Sequence, residues 1–315
     1  MATTLDAPGR GTRRARAPHP APAVQAPTKK YRLAAAGFLS PALVLIAAFV
    51  VLPMVLTLWI SLHRWSMFTP ITDMEFVGLD NYRAVVASST HMAAVRNTVV
   101  YVGLSAAVTI PLALLLALLL YFPQLRGRGV VRVLLFATYV VPTVAIVIIW
   151  SNVYAPGYGP LDNLLALVGV DSPGWLSNPD AALYSLVIFN VWQMLGYYVV
   201  LLVAGLTQIP EEVYEAARID GAGPVRQTVS ITVPLLRGAL VFVLLMAVIN
   251  SIQVFDPVYL LTQGGPVDAT NVLSFDIQRT AFQNGLAGEA SAMAFSLLVL
   301  LAAVAGILGA VRRRA

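Results

Sequence analysis

The sequence predicts an all-α integral membrane protein of six transmembrane helices, with a charged loop between helices 4 and 5. Three observations lead there. The 315 residues are 58% hydrophobic and only 11% charged, against about 25% charged residues in ordinary soluble domains. Six apolar runs, over 33–62, 97–122, 131–152, 183–206, 237–262 and 289–311, each supply the about 20 residues that a helix needs to cross hydrocarbon. These runs are too long for barrel strands and lack period-two alternation.

Residues 1–30 differ in kind. They are rich in Ala and Pro and carry Arg10, Arg13, Arg14, Arg16, Lys29 and Lys30. Their apolar content is too low to offset the entropy of ordering, so a disordered basic tail is expected. The membrane domain then occupies 31–315. Its first run is too long for the apolar core of a cleaved leader and is read as the first span. Pro41, Pro53, Pro111 and Pro142 fall inside runs. Membrane helices tolerate this where neighbours satisfy the freed carbonyl.

Orientation follows from the basic residues. With the N-terminus inside, the inner segments hold the tail, Arg126, Arg128, Arg132, Arg218, Arg226, Arg237 and Arg312 to Arg314. Only Arg64, Arg83, Arg96 and Arg279 are left outside, where Asp73, Glu75, Asp80, Asp162, Asp171, Asp180, Asp268 and Asp276 collect. The bias agrees with an even number of spans and with both termini in the cytoplasm. Trp65, Tyr82, Tyr154, Tyr158 and Trp175 in the outer loops suit anchoring in the headgroup region, or contact with an external partner or sugar.

The segment Glu211 to Pro234 is too charged to lie in lipid. Pro210 suits the first position of a helix, where its missing N–H is no loss. Glu211 and Glu212 complement the positive end of the helix dipole. The helix can run to Asp220, and Gly221 offers a left-handed stop. Gly223 and Pro224 restart a second helix near Val225, which Pro234 ends or bends into the fifth span. Ala216 and Ala217 are small enough for close approach to another surface, with Glu215 and Asp220 beside them as ionic contacts. An ordinary connecting loop is the other reading that composition allows.

Spacing adds to this. Glu215-Ala216-Ala217, three residues, Gly221, nine residues, then Ile231-Thr232-Val233-Pro234 resembles the cytoplasmic loop of permease subunits in binding-protein-dependent bacterial ABC importers. Val233 stands where that family carries Leu. A second stretch, Leu261 to Pro266 (LTQGGP), resembles a run of the family's carbohydrate branch, which includes the sugar and glycerol-3-phosphate permeases. The resemblance spans about 33–311. It implies a coupling helix docked on a cytoplasmic ATPase dimer, with Glu215, Ala216, Ala217, Asp220, Gly221, Ile231 and Pro234 as the matched positions of the joint. It also implies a second homologous permease subunit and an extracytoplasmic solute-binding protein, all at the bacterial cytoplasmic (inner) membrane.

The motor is expected elsewhere. A P-loop needs a Lys after a Gly-rich turn, and the only two lysines are Lys29 and Lys30 in the tail. The chain therefore carries no cofactor of its own, ATP and Mg belonging to the partner ATPase. There is no cysteine, and His19, His63 and His91 are far apart, so no metal site is expected. No catalytic constellation is evident, so the chain is not read as an enzyme, and no nucleic acid partner is implied. An ion-coupled secondary carrier is the alternative, opposed by the absence of a charged relay or repeated halves. A membrane enzyme would need clustered Asp, Glu or His, and the outer carboxylates are scattered in sequence.

Polar residues within spans are costly and mark pathways. The fourth run holds Asn190, Gln193 and Tyr197, and the fifth Asn250, Gln253 and Asp256. Steps of three place the polar members of each set on one helix face. Amides pair hydroxyls and rings cover a sugar's C–H face, so a carbohydrate-type solute fits. Hydrogen bonding between helices is the other use of such amides. No Lys or Arg lies near the middle of a span, which favours a neutral sugar over glycerol-3-phosphate or a related ester.

Overall fold

The computed structural model describes residues 29–121 and 126–314, with side chains over 36–121 and 126–310. The expected basic tail lies outside the described residues up to residue 28, while Lys29 and Lys30 already belong to the first helix. Two units are distinguished, residues 1–52 and 53–315.

The first unit contains helix α1 (Lys29–Ile46), with Pro41 inside it, and a π-helical turn over Ala47–Val51. Its described side chains are exposed. Over Ala36–Ser61 the chain is helical and apolar enough to cross a membrane. The second unit begins in α2 (Leu52–Ser61), followed by a two-residue hairpin of β1 (His63–Arg64) and β2 (Glu75–Phe76) and by the short helix α3 (Asp80–Ala87).

The body of the second unit is built on α4 (Ser89–Tyr121), which starts eight residues before the apolar run that predicts it. Ala94, Thr98, Tyr101, Ser105, Thr109, Ala113 and Ala117 are buried along one of its faces. Side chains three and four apart on a helix share a face, and small ones let a neighbouring helix approach closely. Pro111 is accommodated inside α4 without a break.

Pro142 acts differently. Helices α5 (Arg128–Val140) and α6 (Thr143–Val153) replace the single span expected over 131–152, and they are bent by 99°. The reason is local. The residue before a proline is pushed out of helical conformation, Val141 is extended (φ −69°, ψ 135°), and Pro142 caps the helix that restarts. The described residues thus hold five helices long and apolar enough to cross a membrane, or six if the bent pair is one span.

After α7 (Pro160–Leu167), α8 (Pro179–Leu206) has strong start signals. The Asn178 side chain accepts the Asp180 N–H, Pro179 fills the first turn, and Asp180 faces the dipole. Gly196 on α8 is required by packing, because a Cβ there would run into the carbonyl of Leu135 on α5. The next segment is α9 (Glu211–Ile219), α10 (Pro224–Gln227), a π turn over Thr228–Thr232, and α11 (Val233–Leu235). Helices α12 (Arg237–Ile252) and α13 (Asp256–Leu261) form the fifth span with a break at 253–255. Last come α14 (Leu273–Gln278) and α15 (Ala287–Arg314).

Two apolar clusters fix how these helices run. One joins Ala117 and Leu120 of α4, Leu202 and Leu206 of α8, and Leu236 at the start of α12. The other joins Tyr101 of α4, Leu183 and Leu186 of α8, and Val258 of α13. Helices α4 and α8 therefore run side by side in the same direction and α12–α13 runs against them. The segment α9–α11 projects from the end where α8 finishes and α12 begins, here called the lever end.

Candidate functional site

At the lever end, α9 stops where the sequence predicts. Gly221 takes φ +74°, with its N–H donating to the Arg218 carbonyl at 3.1 Å and the Ala222 N–H to the Ala217 carbonyl at 2.9 Å. This paired closure uses the left-handed residue to satisfy carbonyls that a helix end leaves orphaned. Pro210 caps the helix from just outside instead of occupying its first position, and the helix ends at Ile219 with Asp220 as its cap. The second arm is one α turn followed by the π turn, and Pro234 lies within α11, so the chain turns at Leu236 instead.

Two side-chain bonds brace the elbow. Gln227 Nε2 donates to the Ala222 carbonyl at 2.7 Å, and the hydroxyls of Tyr214 and Thr232 meet at 3.1 Å. Glu215, Ala216, Asp220 and Gly221 are exposed, Ile231 is half-buried, and Pro234 is exposed. Ala217 is buried, so it serves the unit's own packing and only Ala216 of the pair is open to another surface. Ile219 and Val225 are 86% and 77% exposed at the tip. Apolar side chains so placed, beside Glu215 with no ion-pair partner among the described residues, are features of a contact surface.

The second group converges within the bundle. Asn190 and Gln193 of α8 and Asn250, Gln253 and Asp256 of the broken fifth span line one cavity of about 290 Å³. The sixth expected residue, Tyr197, is not among them and stacks on Tyr139 with ring centroids 4.5 Å apart. Gln193 Nε2 donates to Thr143 Oγ1 at 3.0 Å, and Asn250 Nδ2 to the Tyr198 hydroxyl at 3.2 Å. Each of these amides ties helices together and still keeps its carbonyl oxygen. Asn190 and Gln253 make no side-chain hydrogen bond among the described residues. The use of intramembrane amides as interhelical ties is thus present at Gln193 and Asn250. Thr143 is the polar lining residue that the sequence reading misses, beside apolar Met194, Val254, Phe255 and Pro257, and Pro142 was its signal, because the break sets Thr143 at the first position of α6. No Lys or Arg lines the cavity, and Asp256 is its one charge.

The opposite end holds an ionic network. His91 Nδ1 lies 2.6 Å from Asp276 Oδ2, and Arg279 lies 3.1 Å from Asp276 Oδ1 and 2.7 Å from Asp268. Burial opposes the Arg279 charge, and Asp268 and Asp276 outweigh it, so its pKa is raised. Asn97 donates to the carbonyls of Asp268 and Asn271, and Thr270 to the carbonyl of Gly265. The LTQGGP stretch lies in this stapled loop and lines none of the cavity. Nearby, the Asp162 carboxylate accepts from Gly157 N–H at 2.7 Å, the Ser172 hydroxyl at 2.7 Å and the Trp175 indole at 2.6 Å. The Gly157 bond first, then the Ser172 bond, lowers its pKa. Trp175 is therefore a loop fastener and Tyr154 is buried, so neither serves as an exposed headgroup anchor. No group of three or more His, Cys, Asp or Glu positioned for a metal occurs among the described residues.

Known proteins share the fold and, over most of the chain, the sequence. The trehalose/maltose transport system permease protein MalF of Thermococcus litoralis is 38% identical over 247 residues, covering 78% of this chain and 83% of its own length. The diacetylchitobiose uptake system permease protein NgcF of Streptomyces coelicolor is 33% identical over 279 residues, 85% of this chain and 77% of its own. A chain in the crystal structure of a bacterial alginate ABC transporter in complex with an alginate pentasaccharide-bound periplasmic protein has the same fold. Its TM-score is 0.77 at 21% identity, covering 90% of this chain and 96% of that one. The profile described as binding-protein-dependent transport system inner membrane component matches residues 109–315, and the chain belongs to that family.

Proposed function

We propose that this chain is one of two permease subunits of an ABC importer in the bacterial cytoplasmic membrane, carrying a carbohydrate-type solute, with a neutral sugar favoured over a phosphate ester. The observation that carries this reading is the cavity. Amide groups from two spans and a hydroxyl from a broken third surround it without any cation, a donor and acceptor set suited to hydroxyls and not to a fixed anion. Relatives named for trehalose, maltose and diacetylchitobiose support the same solute class.

The lever faces the cytoplasm, a reading that the surplus of Arg near it supports, and docks through Glu215, Ala216, Ile219, Asp220 and Gly221 on a separate ATPase dimer. Closure of that dimer moves the braced elbow as a rigid body, and α8 and α12, attached to its two arms, switch access to the cavity. A solute-binding protein delivers the cargo at the opposite end. Solute uptake and ATPase activity measured together in proteoliposomes test the reading. Glu215→Lys and Gly221→Pro are expected to leave insertion intact and to separate hydrolysis from uptake; normal coupled uptake in both would overturn it.

A further inference from the structure

A second cavity, of about 620 Å³, lies between the lever and the body of the bundle, apart from the proposed solute path. Its body wall includes Tyr121 at the end of α4 and Arg128 at the start of α5; its lever wall includes Glu211, Tyr214 and Arg218 of α9 and Gln227 of α10. The volume is that of a small-molecule site.

Its charges are set for an anion. Arg128 Nη1 donates to the Tyr121 carbonyl and Arg218 Nε to the Tyr214 carbonyl, each at 3.3 Å. Each guanidinium has five N–H donors, so most remain open. Among the described residues neither arginine has a carboxylate within 4.0 Å. The lining carboxylate, Glu211, leaves one positive charge in excess. Guanidinium groups pair phosphate oxygens two at a time, and the phenol rings of Tyr121 and Tyr214 offer apolar surface for an attached organic body.

We propose that this cavity binds a phosphate-bearing ligand, its phosphate held between Arg128 and Arg218. The site bridges lever and body, so an occupant restrains the elbow. Any effect of that restraint on transport rests on the coupling reading, whereas the binding and the restraint do not. The phosphate has two possible sources, a lipid headgroup at the membrane surface or a soluble phosphate ester.

The test uses the full chain in phosphate-free maltoside micelles with no ATPase present, reading amide hydrogen exchange over residues 222–232. One arm titrates phosphatidylglycerol against diacylglycerol, and the other titrates glycerol phosphate against glycerol. Protection by phosphatidylglycerol alone identifies a lipid headgroup, and protection by glycerol phosphate a soluble ester. Arg218→Gln, at an exposed position where the fold tolerates change, should weaken the effect roughly tenfold. Arg128→Gln should do the same, and Glu211→Gln should strengthen it. No protection in either arm, or unchanged affinity in Arg218→Gln, overturns the proposal.

Discussion

His91 Nδ1 and Asp276 Oδ2 are 2.6 Å apart although 185 positions separate them in the chain. The contact ties the start of α4 to α14, with the Asp276 side chain 1% exposed and Arg279 on its other oxygen. Charges this deeply buried stand only as a set, because removing one partner leaves an uncompensated ion.

That makes the network costly to break. Asp276→Ala is expected to lower stability by about 3 kcal/mol, measured by thermal unfolding in detergent. Arg64→Ala breaks a pair whose side chains are 67% and 68% exposed, and the loss there should stay below about 1 kcal/mol. Equal losses would contradict the structural weight given to Asp276.

Glycine positions separate cleanly. Gly196→Val is expected to abolish folded yield, because its side chain would meet the Leu135 backbone, while Gly306→Ala meets nothing within 4 Å and should stabilise α15 by about 0.5–1 kcal/mol. Gly221→Ala places a Cβ at φ +74° and should cost about 1–2 kcal/mol, in the lever alone. Hydrogen exchange over residues 217–227 against the remaining helices checks that confinement.

The Asp162 fastener has a defined pH dependence. A carboxyl whose pKa is lowered by folding stabilises the fold fully above its unfolded value, about 3.9, and loses that contribution as pH falls through the lower folded value. Trp175 emission, taken as the difference from Trp175→Phe, should therefore hold steady from neutral pH to about 4 and change only below. Asp162→Asn should remove the acid transition and loosen the loop already at neutral pH.

Within the cavity, Asn190→Ala and Gln253→Ala should raise the KM for uptake with little effect on thermal stability, since neither amide bonds to a described side chain. Gln193→Ala should affect both, because Gln193 also holds Thr143. Tyr197→Ala, outside the cavity lining, should spare KM. Uptake unchanged in the Asn190 and Gln253 variants would remove the pathway assignment.

These residues also show how far sequence reaches. The apolar runs, the Gly221 stop and the three-residue step of Asn190 and Gln193 follow from local periodicity and backbone chemistry and were legible. Asn250, Gln253 and Asp256, by contrast, do not share one helix face as expected: the helix ends at Ile252, and Asp256 reaches the same cavity from the start of α13. Proline was legible only as a position. Pro111 continues its helix and Pro142 breaks one by 99°, a difference that residue type alone does not announce. The network of His91, Asp268, Asp276 and Arg279 was read as scattered charge because it depends on contacts across the chain. The burial of Ala217, two positions from exposed Glu215, needed the fold of the elbow itself.

The most direct test of the lever uses the absence of cysteine, which makes any introduced thiol unique. Ile219→Cys, at the exposed tip, should react with a membrane-impermeant maleimide in inverted vesicles and not in intact cells, and should crosslink to the ATPase subunit of the assembled transporter. Labelling from outside intact cells, or an assembled transporter in which Ile219→Cys reaches no ATPase, would contradict the account.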